Sequence, residues 1–294
     1  MDFNHIPVAK RANPQVRAIG RVYCSLPGGG CVPAGDDPLD GGSECGDRGP
    51  RRVADEVDSM RKRSRNNVQE TCYMCDMPET SNEHVPPKCF FPEQKDIGEG
   101  RDYRQNLLTV PSCDLHNSKK SEDDEYLQFV ITIHFENNPI AQKQFSTKIM
   151  RAVRRKPSMY NFIKENFPVA INGLPSLAFT IDQDRFDKEI DHITRALYYL
   201  HHKSKLSLPI IVHTPDLFMV NQPTAKDVNQ RMQQIDKMTI DALTSQPIHG
   251  ENPEIFSYQF LDLEEIPSFV VRMVFYSGFV VIAYASQTVN DSKK

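Results

Sequence analysis

Two short metal-knuckle spacings constrain this chain more than anything else in it. Cys72-Tyr73-Met74-Cys75 is a C-x2-C turn, and Cys113-Asp114-Leu115-His116 repeats the spacing as C-x2-H after 37 intervening residues. Such a turn lets two ligands reach one ion, with sulfur at about 2.3 Å, so Cys72, Cys75, Cys113 and His116 together make a Cys3His tetrahedral zinc site. The competing reading is four buried or free side chains with no ion between them. Structural zinc contributes directly to folding energy, so the site would hold the local scaffold rather than perform chemistry.

The cysteine count agrees with metal better than with disulfides. Seven Cys is an odd number, and the first 30 residues carry no apolar signal-peptide core, which leaves reduced thiols or metal ligands. No apolar run approaches the roughly 18 to 20 residues needed to cross a bilayer, so no membrane partner is expected and the cytoplasm is the expected address. At 294 residues, with 39% hydrophobic and 25% charged residues, the chain is neither mostly disordered nor collagen-like. Its length suits two domains, or one large one, at about 150 residues per domain.

Net charge is −4, which does not advertise nucleic-acid binding through bulk electrostatics. The charge is uneven: −2 over residues 1–59, +2 over 60–156 and −4 over 157–294. A polyanion would prefer the middle.

Residues 1–65 are rich in Gly and Pro, end in the basic stretch Arg51–Arg65, and are expected to be disordered. Cys24, Cys31 and Cys45 lie at spacings unlike a metal knuckle, and Met60 is a candidate natural start. Past the second knuckle, Ser121 with Asp124 reads as a capping box, followed by Tyr126, Leu127, Val130 and Ile133 at helical spacing. Pro139 closes that helix. A second helix is expected from about residue 140 to 156, its terminal cations Arg151, Arg154, Arg155 and Lys156 suiting the helix dipole, with phosphate contact as the other use.

Further on, the pattern predicts strands near 177–181 and 208–213 and helices over 184–201 and 224–243. Stretches 255–261, 268–276 and 278–285 read as strands, the last two joined by a turn at Ser277-Gly278. Asp182, Asp184 and Asp187 read as helix capping, and His192, His201 and His202 as a solvated helix face. The fold class expected is therefore α+β with an antiparallel sheet.

Between and just after the knuckles stand Glu83-His84-Val85-Pro86-Pro87, then Asn106-Leu107-Leu108, then Asn117-Ser118-Lys119-Lys120. An acidic residue and His before Pro, an Asn before a short apolar strand, and an Asn directly after the last zinc ligand resemble the HNH endonuclease family over roughly residues 70–127. The resemblance implies a zinc-stabilised ββα-metal module over 66–136, followed by an α+β domain over 137–294 of unassigned role. It also implies a DNA-cleaving enzyme with structural Zn2+ and a catalytic Mg2+ or other divalent cation. Such family members often act in bacterial defence against foreign DNA, phage included.

On that resemblance His84 would be the general base, Glu83 and Asn117 the catalytic-metal ligands, and Asn106 an orienting residue for the His84 loop or ring. Lys119 and Lys120 could contact phosphate, or end a solvated helix. Hydrolysing a phosphodiester needs a nucleophilic water and a cation that steadies charge on the phosphate. Imidazole, with an ordinary pKa of about 6.5, can accept the water's proton near neutrality, and hard cations take oxygen ligands.

The chain departs from the commonest family pattern in carrying Glu where Asp is frequent, and His116 where Cys is more usual. The second departure keeps open an assignment in which His116 faces the active site and zinc has three protein ligands or is absent. Cys89 reads as a packing residue. The alternative function is a zinc-stabilised nucleic-acid-binding module without catalysis, and a third reading is a zinc scaffold for protein contact. The domain over 137–294 could choose the target, sense a signal, or pair two copies into a homo-oligomer.

Overall fold

A computed structural model describes residues 70–98, 100–117, 120–158, 166–171, 174–215, 226–263 and 268–286. The expectations for residues 1–65, for Cys24, Cys31, Cys45 and Met60, and for Lys119 lie outside the described residues.

The described chain is α+β with antiparallel sheets. It begins with a hairpin, β1 (Ser81–His84) against β2 (Thr109–Ser112), in which Glu83 faces Val110 and His84 faces Thr109. The long connection holds a 3-10 turn at Lys88–Phe90 and the short helix α1 (Gln94–Ile97). Helix α2 (Ser121–Thr132) follows the second knuckle and buries Tyr126, Leu127, Phe129, Val130 and Ile131. Its start corrects the capping-box expectation: Lys120 occupies the N-cap without a side-chain cap bond, and Asp124 lies 3.1 Å from the Lys120 ammonium.

The expected helix from 140 to 156 is a run of three pieces, α3 (Pro139–Gln144), a π turn (Phe145–Ile149) and α4 (Met150–Arg155). Asn138 caps it by accepting from the backbone N–H groups of Ile140 and Ala141, and Pro139 sits at the first helical position, where its missing N–H costs nothing. Arg151 pairs with Asp96 and Lys156 with Glu122.

A two-stranded sheet, β3 (Asn166–Ile171) with β4 (Leu174–Phe179), leads into α5 (Gln183–His202). Its N-cap Asp182 accepts from the Arg185 N–H, the capping role expected of it. Then come β5 (Ile210–His213), α6 (Lys226–Thr244), β6 (His249–Asn252), β7 (Phe256–Leu263), β8 (Ser268–Phe275) and β9 (Phe279–Ser286), which form one antiparallel sheet in the order β5-β9-β8-β7-β6. On β8, Phe269, Val271, Met273 and Phe275 are buried while the residues between them are half-buried, as strand alternation requires.

Helix α5 packs on that buried face, with Phe186 near Phe279 and Tyr198 near Phe269. Helix α6 lies against the other face, where Thr239 bonds Tyr284 and Asp236 bonds His213. The β8–β9 turn carries Tyr276 and Ser277 at φ 48° and 60°. These are left-handed values, and the turn falls at the expected Ser277-Gly278. A Cβ on Gly278 would lie 2.4 Å from the Glu136 carbonyl oxygen, so only glycine fits that approach. One apolar core takes in Val85, Phe90, Val110 and Leu127 together with Ile190, Phe275 and Phe279, on both sides of position 136.

Candidate metal centre and catalytic cluster

Cys72, Cys75, Cys113 and His116 converge until their ligand atoms all lie within 4.8 Å of one another. The Cys75 and Cys113 sulfurs are 3.8 Å apart, and His116 Nδ1 lies 3.5, 3.5 and 3.3 Å from the sulfurs of Cys72, Cys75 and Cys113. A tetrahedral zinc with sulfur at about 2.3 Å and nitrogen at about 2.0 Å requires S···S edges of about 3.8 Å and S···N edges of about 3.5 Å. These four edges match those of a Cys3His zinc site, and the set could hold a metal ion such as zinc.

Local backbone explains the convergence. The His116 and Asn117 N–H groups both donate to the Cys113 carbonyl, turning the chain back so that His116 faces Cys113. The Cys72 N–H donates to Met77, closing the first knuckle. Burial, with the charges of His192 and Lys120, depresses the His116 pKa and keeps its imidazole neutral, the form a metal accepts as ligand. Burial opposes ionisation of the Cys113 thiol, but N–H groups aimed at the sulfur from His116 and Leu115 leave its pKa lowered. With Nδ1 turned to the three sulfurs, His116 joins the cysteines.

Comparison with family models, with curated proteins and with solved structures finds no match.

Of the remaining candidates, Glu83 and His84 stand on the adjoining hairpin and Asn117 is bonded to it. Glu83 is buried, takes hydrogen bonds from Tyr73 Oη at 3.3 Å and Ser112 Oγ at 3.4 Å, and pairs with the Lys120 ammonium. Burial raises its pKa, and Lys120 works in the opposite sense. Asn117 donates through Nδ2 to Ser81 Oγ at 2.8 Å and to the Asn82 carbonyl at 3.5 Å. Ser81 and Glu83 are two apart on β1 and share one face of it, so Asn117 and Glu83 are brought to the same side of the strand.

His84 is the last residue of β1 and is half-buried. Burial first, then the Lys88 and Arg104 cations, depress its pKa and favour the neutral base. Asn106 is an exposed turn residue at φ 54°, a conformation asparagine tolerates. Among the described residues it makes no hydrogen bond to His84. The link beneath that loop is the Val85 N–H donating to the Leu108 carbonyl at 2.9 Å.

Lys120 departs from the phosphate-contact expectation. It is 4% exposed and its ammonium is ringed by Glu83, Asp124 and Glu189, so it is turned into the protein and away from any bound polyanion. Burial alone would lower its pKa, and the three carboxylates instead push it up beyond the ordinary lysine value.

For a catalytic divalent cation, the donor chemistry of Glu83 and Asn117 is the hard-oxygen set such an ion takes. The Asn117 amide donates through Nδ2 to Ser81 and Asn82, while the Glu83 carboxylate is already partnered by Lys120. Tyr73 and Ser112 hold its other oxygen, so a cation on Glu83 would compete with these partners.

Sequence reading missed Tyr73, Ser112, Glu189 and His192. His201 and His202 are exposed as expected, but His192 is 8% exposed, stands edge-on to His116 at 6.2 Å between ring centroids, and lies on the inward side of α5. One signal could have found it: Glu189 and His192 are i, i+3 on the same stripe as Ile193 and Phe186.

Proposed function

We propose that this chain is a metal-dependent HNH endonuclease that hydrolyses DNA phosphodiester bonds, built on a zinc-stabilised ββα-metal unit. The observation that carries the reading is the bond from Asn117 to Ser81. It joins the residue after the last zinc ligand to the strand that bears Glu83 and His84. The order of β1, β2 and α2, with the Cys3His cluster at its base, supports the same reading.

In this reading zinc on Cys72, Cys75, Cys113 and His116 is structural. A divalent cation on Glu83 and Asn117 would stabilise charge on the scissile phosphate and the leaving 3′-oxygen. His84, neutral and half-exposed, takes the proton of the attacking water. Tyr73 and Ser112 hold the Glu83 carboxylate by hydrogen bonds, and Asn106 sets the turn that returns the chain to β2.

One observation favours the alternative of a zinc-stabilised nucleic-acid-binding module without catalysis: Glu83 is buried and already ion-paired. Supercoiled plasmid incubated with Mg2+ or Mn2+ separates the two. Nicking or linearisation that disappears in EDTA and in His84→Ala supports the enzyme. A gel shift with intact plasmid in every lane replaces it with the binding module.

A further inference from the structure

The turn Lys88–Phe90 begins four residues beyond His84, and the carbonyls of Cys89, Phe90 and Phe91 all take side-chain donors. The Cys89 oxygen accepts from Gln128 at 2.6 Å and from the Lys148 ammonium at 2.7 Å. The Phe90 oxygen accepts from Tyr276 and Gln144, and the Phe91 oxygen from Arg104 Nε at 3.0 Å. Pro86 and Pro87 stand between this turn and His84, both buried and each restricted in φ, so the turn is pinned beside the candidate base. Two of its side-chain donors are cations, Lys148 and Arg104, and a third cation, Lys88, stands on the turn itself. Lys88 is exposed and makes no ion pair among the described residues. Glu93, 3.4 Å from Arg104, is the one carboxylate paired with these three cations among the described residues, and Lys95 shares it. Lys88 and Arg104 are also the two charges that act on the His84 ring, and both are positive. Holding like charges together costs energy that a bound anion offsets.

We propose that the segment Lys88–Phe91 binds a backbone phosphate of the DNA strand beside His84, with Lys88 making the contact and Arg104 adding charge behind it. This rests on the reading above, in which DNA is bound at His84. It moves the phosphate contact away from Lys120, whose ammonium is turned inward onto Glu83. A lysine ammonium meets a phosphate as a point charge and needs no fixed fork of donors. Lys88 has no ion pair to break before it does so. Lys148 and Arg104 keep the turn in place through the carbonyls they hold. Such a contact fixes where the strand lies and reads no base, so it acts alike on every sequence.

The test uses the full zinc-loaded chain and labelled DNA duplexes of two unrelated sequences, with no added Mg2+ or Mn2+. Fluorescence anisotropy gives the affinity from about 50 to about 200 mM salt. The chains compared are wild type, Lys88→Gln, Lys88→Arg and Lys237→Gln, the last altering an exposed lysine on α6. Loss of one phosphate contact lowers the slope of log affinity against log salt by about one. Lys88→Gln is therefore expected to bind more weakly, with a deficit about three- to fourfold larger at the low-salt end than at the high-salt end. The deficit should be equal on both sequences. Lys88→Arg should recover the wild-type slope, and Lys237→Gln should keep it. A Lys88→Gln slope equal to that of the wild type, or a slope lowered as much in Lys237→Gln, overturns the proposal, while plasmid cleavage by the wild type run alongside still supports the nuclease. A wild type that neither binds duplex nor cleaves plasmid overturns both.

Discussion

The phenol of Tyr276 donates to the carbonyl oxygen of Phe90 at 2.7 Å, a bond between residues 186 apart in sequence. Tyr276 is fully buried in the β8–β9 turn, and Phe90 lies in the connection between β1, which carries Glu83 and His84, and β2. Gln144 donates to the same phenol at 3.1 Å, so the turn is latched to the N-terminal part of the core by a shared polar contact inside an apolar surround. Tyr276→Phe keeps the ring and removes the latch. The expected loss is about 1–2 kcal/mol, the usual scale for a buried hydrogen bond whose partners are left behind. Equilibrium urea unfolding checks it, and an unchanged midpoint would show that the bond contributes nothing.

Metal analysis of the purified chain is expected to return about one zinc per molecule, because the Cys3His atoms already sit at tetrahedral spacing. Cys113→Ser exchanges a strong zinc ligand for a poor one and should lower both zinc content and melting temperature, since binding energy in a structural site is folding energy. Full zinc occupancy in a Cys72→Ser, Cys113→Ser double variant would exclude these residues as the site.

What could be read from sequence is what has a period or a spacing. The knuckles are visible because two turns of the same length bring four soft ligands together. Helix α5 is visible because Phe186, Ile190, Ile193 and Leu197 fall on one stripe, and all four are buried. The Ser277-Gly278 turn is visible because glycine breaks a strongly apolar run. By contrast, Lys120 stands in a polar run after Asn117, and nothing local says that its ammonium turns inward toward Glu189, 69 residues away. The edge strand β6, of sequence His-Gly-Glu-Asn, has no apolar alternation and exists through its pairing with β7. The capping box at Ser121 failed for a related reason, because Asp124 is claimed by the buried Lys120.

Lys120 is the one cation in contact with the buried carboxylates Glu83 and Glu189 among the described residues, apart from the histidine His192 beside Glu189. Lys120→Met keeps much of the side-chain volume and strips these carboxylates of their counter-charge. Breaking a buried pair from one side typically costs about 3–5 kcal/mol. Adding Glu189→Gln to Lys120→Met should recover part of that loss, because one of the stranded charges is then gone. Chemical unfolding of the two single variants and the double variant measures the coupling, and strict additivity would mean that Lys120 and Glu189 do not interact.

His134 sets a pH dependence away from the metal ligands. Its ring packs against Phe135 and edge-on to Phe279, neither ring nitrogen has a hydrogen-bond partner, and burial pushes its pKa down to about 4. In the unfolded chain the same imidazole titrates near about 6.5. Between those values the unfolded state holds a proton that the folded state refuses, so this contribution to stability is complete above about pH 6.5 and is lost as pH falls toward 4. The slope reaches at most about 1.4 kcal/mol per pH unit for one such group. His134→Leu removes both the titration and the two unpartnered nitrogens. The variant is therefore expected to match or exceed the wild-type chain at pH 7.5, and to exceed it by about 1–2 kcal/mol more at pH 5. Urea unfolding at the two pH values decides it: a difference between variant and wild type that stays constant from pH 7.5 to pH 5 would mean that His134 protonates equally well in both states.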